Sequence, residues 1–128
     1  MNRFPNWQKP EFDALGKTKW NWMCQHHQNL SLRVGSDIGA FTYINAKHGV
    51  EIGEGAQIGS HCAIYSENTI DNTQGKVTIG AGAKIGSHTV IFPGVTIGAN
   101  ALVGAHSLVK TDIPDNEVWA GVPARKLK

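Results

Sequence analysis

Residues 78–109 read TIGAGAKIGSHTVIFPGVTIGANALVGAHSLV. Ile79, Ile85, Ile91, Ile97, Val103 and Val109 fall six residues apart in this stretch, and glycine follows four of them. A helix presents one face about every 3.6 residues and a strand every second residue, so neither by itself demands this spacing. Six residues do suffice for one short strand and one bend. Such a unit cannot bury its own aliphatic side chain and must stack on its neighbours, which predicts an array.

Carried backward from Ile79, the frame takes in Ile70, Ile64, Ile58 and Ile52, then Ile44 and Ile38. It breaks twice, with about two extra residues around KHGV (47–50) and about three within DNTQGKVT (71–78). Four positions after an aliphatic stand Ala56, Cys62, Asn68, Ala83, Thr89, Val95, Ala101 and Ser107. Each hexad thus offers two inward-facing positions, as a short strand does. The glycines suit bends, where φ is positive or a β-carbon has no room. Three bends close a triangular coil of about eighteen residues, and residues 38–114 then make about four coils stacked roughly 4.8 Å apart.

The totals agree with a small domain. A chain of 128 residues has room for one modest core. A formal net charge of +2 and 17% charged residues point to neither a nucleic-acid duplex nor a membrane surface. No apolar run reaches about 18 residues, and MNRFPNWQKPEF at the N-terminus lacks the apolar stretch of a secretory signal, so a cytoplasmic location is expected. Cys24 and Cys62 have no metal-ligand spacing and suit free thiols in a reducing compartment. Residues 1–33 have no hexad frame and carry Trp7, Trp20 and Trp22 with Pro5 and Pro10. They are expected to form an irregular cap on the open edge of the bottom coil, followed by the repeat at 34–114 and a tail at 115–128.

With its hexads and its ending IPDNEVWAGVPARKLK (113–128), the sequence resembles the hexapeptide-repeat acyltransferases. The resemblance runs over residues 34–126. It implies an all-β, left-handed parallel β-helix, acetyl-coenzyme A as acyl donor, and homotrimers with active sites between subunits. The segment NAKHGVEIGEGAQIG is similar to the active-site coil of family members that acetylate nucleotide-linked amino sugars. His48 falls on their histidine, and neutral imidazole is a suitable general base near neutral pH. A carboxylate often follows that histidine in the family, whereas Gly49 does here, so an orienting acid has to be Glu51 or Glu67.

His88 is a second candidate base, since the frame puts Glu67, His88 and His106 in one outward column. Gly86 and Gly104 are candidate sources of backbone N–H groups for the oxyanion and the acyl carrier. Lys110, Arg125 and Lys126 follow the upper coils and suit the phosphates of coenzyme A. For the acceptor, the loop SENTIDNTQGK suggests Tyr65, Glu67, Asn68 and Asp71. Cys62 sits in an inward slot and is not expected to be a nucleophile.

Two other functions compete. γ-Class carbonic anhydrases resemble this repeat equally, but they hold zinc with three imidazoles, two of them close in sequence. The histidines from 48 onward stand 13, 27 and 18 residues apart, so that pair is missing and no metal is expected. A non-catalytic scaffold is the other alternative. The favoured reading is an acetyltransferase of a sugar or nucleotide-linked sugar, with direct transfer and a place in surface-polysaccharide synthesis.

Overall fold

A computed structural model describes residues 4–128. The repeat folds as a parallel β-helix of about five turns. Its first turn holds β1 (Met23–Gln25), β2 (Leu30–Leu32) and β3 (Asp37–Ile38), and its second β4 (Tyr43–Asn45), β5 (Val50–Ile52) and β6 (Gln57–Ile58). The third turn starts with β7 (Ala63–Tyr65), leaves the wall in a hairpin of β8 (Glu67–Asn68) and β9 (Thr73–Gln74), and returns with β10 (Val77–Ile79) and β11 (Lys84–Ile85). β12 (Val90–Ile91), β13 (Thr96–Ile97) and β14 (Leu102–Val103) form the fourth. β15 (Leu108–Val109) and β16 (Val118–Gly121) complete the fifth, and β17 (Ala124–Lys126) folds back antiparallel on β16.

Each of the first four turns adds one strand to each of three walls. Wall A runs β1-β4-β7-β12-β15, wall B β2-β5-β10-β13, and wall C β3-β6-β11-β14-β16-β17. In the fifth turn Ile113 makes only an isolated bridge to Ile97 on wall B. Register keeps like over like, with Ile44 on Ile64, Ile52 on Ile79, Ile58 on Ile85 and Ile64 on Ile91. These side chains are buried, as are the small residues Ala56, Cys62, Ala83, Thr89, Val95, Ala101 and Ser107. The core is a column of aliphatic layers inside the prism.

Where glycine follows an isoleucine of walls B and C, it is needed for close approach. A β-carbon on Gly53 would lie 2.5 Å from the amide nitrogen of Ala81 in the next turn, and one on Gly80 2.6 Å from that of Ala99. Positive φ falls elsewhere, on Gly55, Gly82 and Asn100 at one edge and on His61, His88 and His106 at another.

Three expectations change. The ladder begins at Met23 rather than at position 34, which is why there are about five turns and not four. Cys24 pairs in register with Ile44, and Leu30 and Leu32 with Val50 and Ile52, so β1 and β2 keep the inward pattern without the Ile-Gly pair that first appears at Ile38. Ile70 is not in the ladder: it is 94% exposed, and Asn68 is in the hairpin beside it. The six-residue step from Ile64 to Ile70 is a coincidence of spacing, because the hairpin intervenes before Val77 and Ile79 resume the wall. The C-terminal segment is also structured. β17 ends wall C antiparallel, which closes a parallel edge that would otherwise template another chain.

At the bottom, Trp22 is 3% exposed and meets Phe12 edge to face at 5.5 Å. Among the described residues no helix is long and apolar enough to cross a membrane.

Candidate active site

The first frame break places His48. Between β4 and β5 the wall A to wall B corner carries extra residues, and Gly49 takes a φ of 99° to bring the chain back. The backbone N–H of His48 donates to Ser66 Oγ at 3.0 Å, and Ser66 Oγ donates in turn to Asn45 Oδ1 at 3.2 Å. Ser66 is fully buried, so the imidazole stands on an anchored bend. His48 Nε2 is shielded from solvent and has no hydrogen-bond partner, with Glu67 Oε1 3.6 Å away. A buried, unpaired ring nitrogen costs free energy unless something fills its hydrogen-bonding capacity.

Glu67 opens the hairpin, so the second frame break delivers the carboxylate that the residue after His48 does not supply. Lys47 Nζ lies 3.4 Å from the same Glu67 oxygen. Desolvation pushes the Glu67 carboxyl up, but the hydrogen bond and charge of Lys47, with a smaller contribution from His48, outweigh it and hold the group below the usual glutamate range. Glu51, the other candidate acid, is instead paired with Lys76 at 2.7 Å. His48, Gly49, Lys47, Glu51, Asn29 and Lys76 are among the residues lining an open cavity of about 440 Å³.

His88 stands elsewhere, on the wall C to wall A corner. There His61, His88 and His106 stack face to face, with centroids 4.8 and 4.7 Å apart and planes within 2° and 12°, and Phe41 continues the column 5.1 Å from His61. The expected column of Glu67, His88 and His106 is therefore corrected. His61 takes the place given to Glu67, because the hairpin adds more residues than the frame allowed. Within one chain the structure does not bring His48 and His88 together.

Gly86 and Gly104 lose the oxyanion role for a simple reason. Their N–H groups are spent on the ladder, donating to Val103 O at 2.8 Å and Trp119 O at 2.9 Å. Lys110, Arg125 and Lys126 do converge. With Thr111, Trp119 and Pro123 they line a cavity of about 290 Å³ at the upper end of the prism. Lys110 Nζ lies 6.0 Å from the Phe92 ring centroid, and Lys126 pairs with Glu117 at 3.4 Å.

The suggested acceptor residues divide. Tyr65 packs its ring 5.7 Å from that of Tyr43. Asn68 Oδ1 accepts the Ile70 N–H, and Asp71 Oδ1 accepts both the N–H and the hydroxyl of Thr73, so these two oxygens shape the hairpin tip. Hydrogen bonds from Thr73, with a smaller effect of the Lys110 charge, hold the Asp71 carboxyl low.

Burial pushes the Cys62 thiol up, and its S–H donates to Gly86 O at 3.3 Å; Cys24 is pushed up to about 12 by burial. Neither is poised as a nucleophile. Among the described residues no group of three or more His, Cys, Asp and Glu side chains is assembled as a metal site. Reasoning from sequence gave no role to Ser66, Asn45 and Lys47. Asn45 and Lys47 lie in the same segment as His48, and the pairing of Asn45 with Tyr65 in wall A sets Ser66 beside them.

Residues 76–111 match the family model of the bacterial transferase hexapeptide, six repeats, so the resemblance holds in sequence as well as in fold. A hexapeptide-repeat-containing acetyltransferase of Vibrio cholerae O1 biovar eltor, solved with acetyl coenzyme A, superposes with a TM-score of 0.79 at 25% identity, over 84% of this chain and 63% of that one. A galactoside acetyltransferase in complex with coenzyme A gives 0.78 at 31% identity, over 84% and 57%. AntD, an N-acyltransferase of Bacillus cereus solved with dTDP and 3-hydroxybutyryl-CoA, gives 0.72 at 26%, over 88% and 78%. The chain spans less than two thirds of the length of the first two. No curated protein matches it.

Proposed function

We propose that this protein is an acetyl-coenzyme A-dependent acetyltransferase whose acceptor is a sugar or nucleotide-linked sugar, with His48 as general base. The observation that carries the reading is the partly exposed imidazole of His48, which lines an open cavity from an anchored bend and has Glu67 Oε1 3.6 Å from its Nε2. The similarity to structures holding coenzyme A, its acetyl ester or dTDP supports the choice of donor and acceptor class.

In the reaction, Nε2 takes the proton from the acceptor's amine or hydroxyl as that atom attacks the thioester carbonyl. The new C–N or C–O bond forms, the C–S bond breaks, and the departing thiolate of coenzyme A takes that proton from the imidazolium, which restores the base. Glu67 favours the imidazolium while it exists, and no covalent enzyme intermediate forms. Lys110, Arg125 and Lys126 supply positive charge suited to the donor's phosphates.

A homotrimer in the cytoplasm is part of the proposal. On one side of its inward column wall A carries Met23, Tyr43, Ala63, Val90 and Leu108, with Gln25, Asn45 and Tyr65 on the other, where the outward ladder of wall B is Ser31, Glu51, Thr78 and Thr96. An apolar outward face favours contact with another copy. A role in surface-polysaccharide synthesis follows from the acceptor class.

The test is release of free coenzyme A thiol from its acetyl ester in the presence of amino and hydroxyl sugars and their nucleotide-linked forms. Sugar-dependent release supports the enzyme. A protein that assembles normally but releases no thiol with any acceptor is a scaffold.

A further inference from the structure

The bottom of the prism contains a further cavity. The chain before β1 crosses over the first turn and leaves a cavity of about 710 Å³ beneath it. Well-packed interiors hold few voids larger than a water molecule, whereas pockets for small ligands run from about 300 to 1,000 Å³. Pro5, Trp7, Trp20 and Trp22 supply apolar lining, and Asn6 and Gln8 supply amides.

Two of these groups are fixed. The Trp7 indole N–H donates to Ser36 O at 2.8 Å, tying the crossing segment to the first turn, and Lys19 Nζ donates to Gln8 Oε1 at 3.3 Å. The wall is held open by these bonds, while Trp20 keeps 41% of its surface exposed.

We propose that this cavity binds a pyranose ring at a site distinct from His48. The Trp20 indole, 41% exposed with Lys19 Nζ 4.7 Å from its centroid, matches the apolar C–H face of a sugar, and the amides of Asn6 and Gln8 suit its hydroxyls. A nucleobase would use the Trp20 indole but has no row of hydroxyls for the two amides. An apolar chain would cover the Asn6 amide and the Gln8 amide nitrogen without pairing them, at a cost. His48 is on the wall A to wall B corner of the next turn and is not among the residues lining this cavity. The site would hold a saccharide apart from the catalytic groups, sharing no lining residue with the His48 cavity. It does not depend on the transferase reading, because binding is measured with no acyl donor present.

The probes are methyl pyranosides, the corresponding disaccharides and dTDP, followed by saturation-transfer NMR on the full chain. The account expects saturable transfer to the C–H face of a pyranoside, weakened by about tenfold or more in Trp20→Ala and retained in His48→Gln. Circular dichroism melting of Trp20→Ala reports whether it folds, and Gln8→Ala, which leaves the indoles in place, is the second variant and should also weaken binding. No saturable binding of any saccharide overturns the proposal. So does binding lost in His48→Gln but kept in Trp20→Ala and Gln8→Ala, or binding of dTDP alone.

Discussion

At His48 the backbone does the positioning. Its N–H is held by Ser66, Ser66 is held by Asn45, and the ring nitrogen left over faces Glu67. Replacing the imidazole with the glutamine of His48→Gln should therefore lower kcat by about 10²- to 10⁴-fold with little change in melting temperature. Glu67 owes its low pKa to Lys47 against the opposing effect of desolvation, so Lys47→Met should raise it, as read by carboxyl ¹³C chemical shifts; an unchanged titration would show that Lys47 has no such hold. The sign for stability follows. A carboxyl depressed on folding stabilises the fold above its unfolded pKa, and that contribution is lost as pH falls through the folded value. Lys47→Met should accordingly flatten the acid limb of the stability curve. Cys62→Ser should keep most activity, since the buried thiol is pushed away from the thiolate form, and abolished turnover would contradict this.

The elements were legible wherever the hexad was strict. From Lys84 to Val109 the ladder, its inward small residues and its outward histidines follow from spacing alone, because a period of six leaves one way to bury the aliphatics. Where the period fails the reading fails with it. Ile70 satisfied the frame and is exposed on the hairpin, while Leu30 and Leu32 did not satisfy it and belong to the wall. Spacing counts residues along the chain but not the ones that leave the wall and return. The candidate site was readable in part: a break marked His48, and Glu67 was one of two candidate acids, but the choice between them needed the wall A register that sets Tyr65 on Asn45 and the pairing of Glu51 with Lys76. Urea denaturation separates the two isoleucines. Ile64→Ala should cost about 2–5 kcal/mol, as for a buried aliphatic whose cavity only partly collapses. Ile70→Ser should stay within about 0.5 kcal/mol, and a large loss there would return Ile70 to the core.

For the whole molecule, the uneven outer faces of the prism matter most. Strands of a solvated wall alternate apolar inward with polar outward, and wall B does so, but wall A shows Tyr43, Ala63, Val90 and Leu108 on its outside. A charge in the middle of that ladder should break assembly while leaving each prism folded, so Val90→Glu is expected to sediment as a monomer where the unaltered chain sediments as a trimer. If both sediment alike, wall A is not the contact. The catalytic reading rests on one imidazole, and a single comparison reaches it: the rate of thiol release from acetyl-coenzyme A with the best sugar acceptor, for the unaltered protein and for His48→Gln. The account predicts turnover in the first and a loss of at least about a hundredfold in kcat in the second, with unchanged assembly. Equal rates in the two proteins would contradict it.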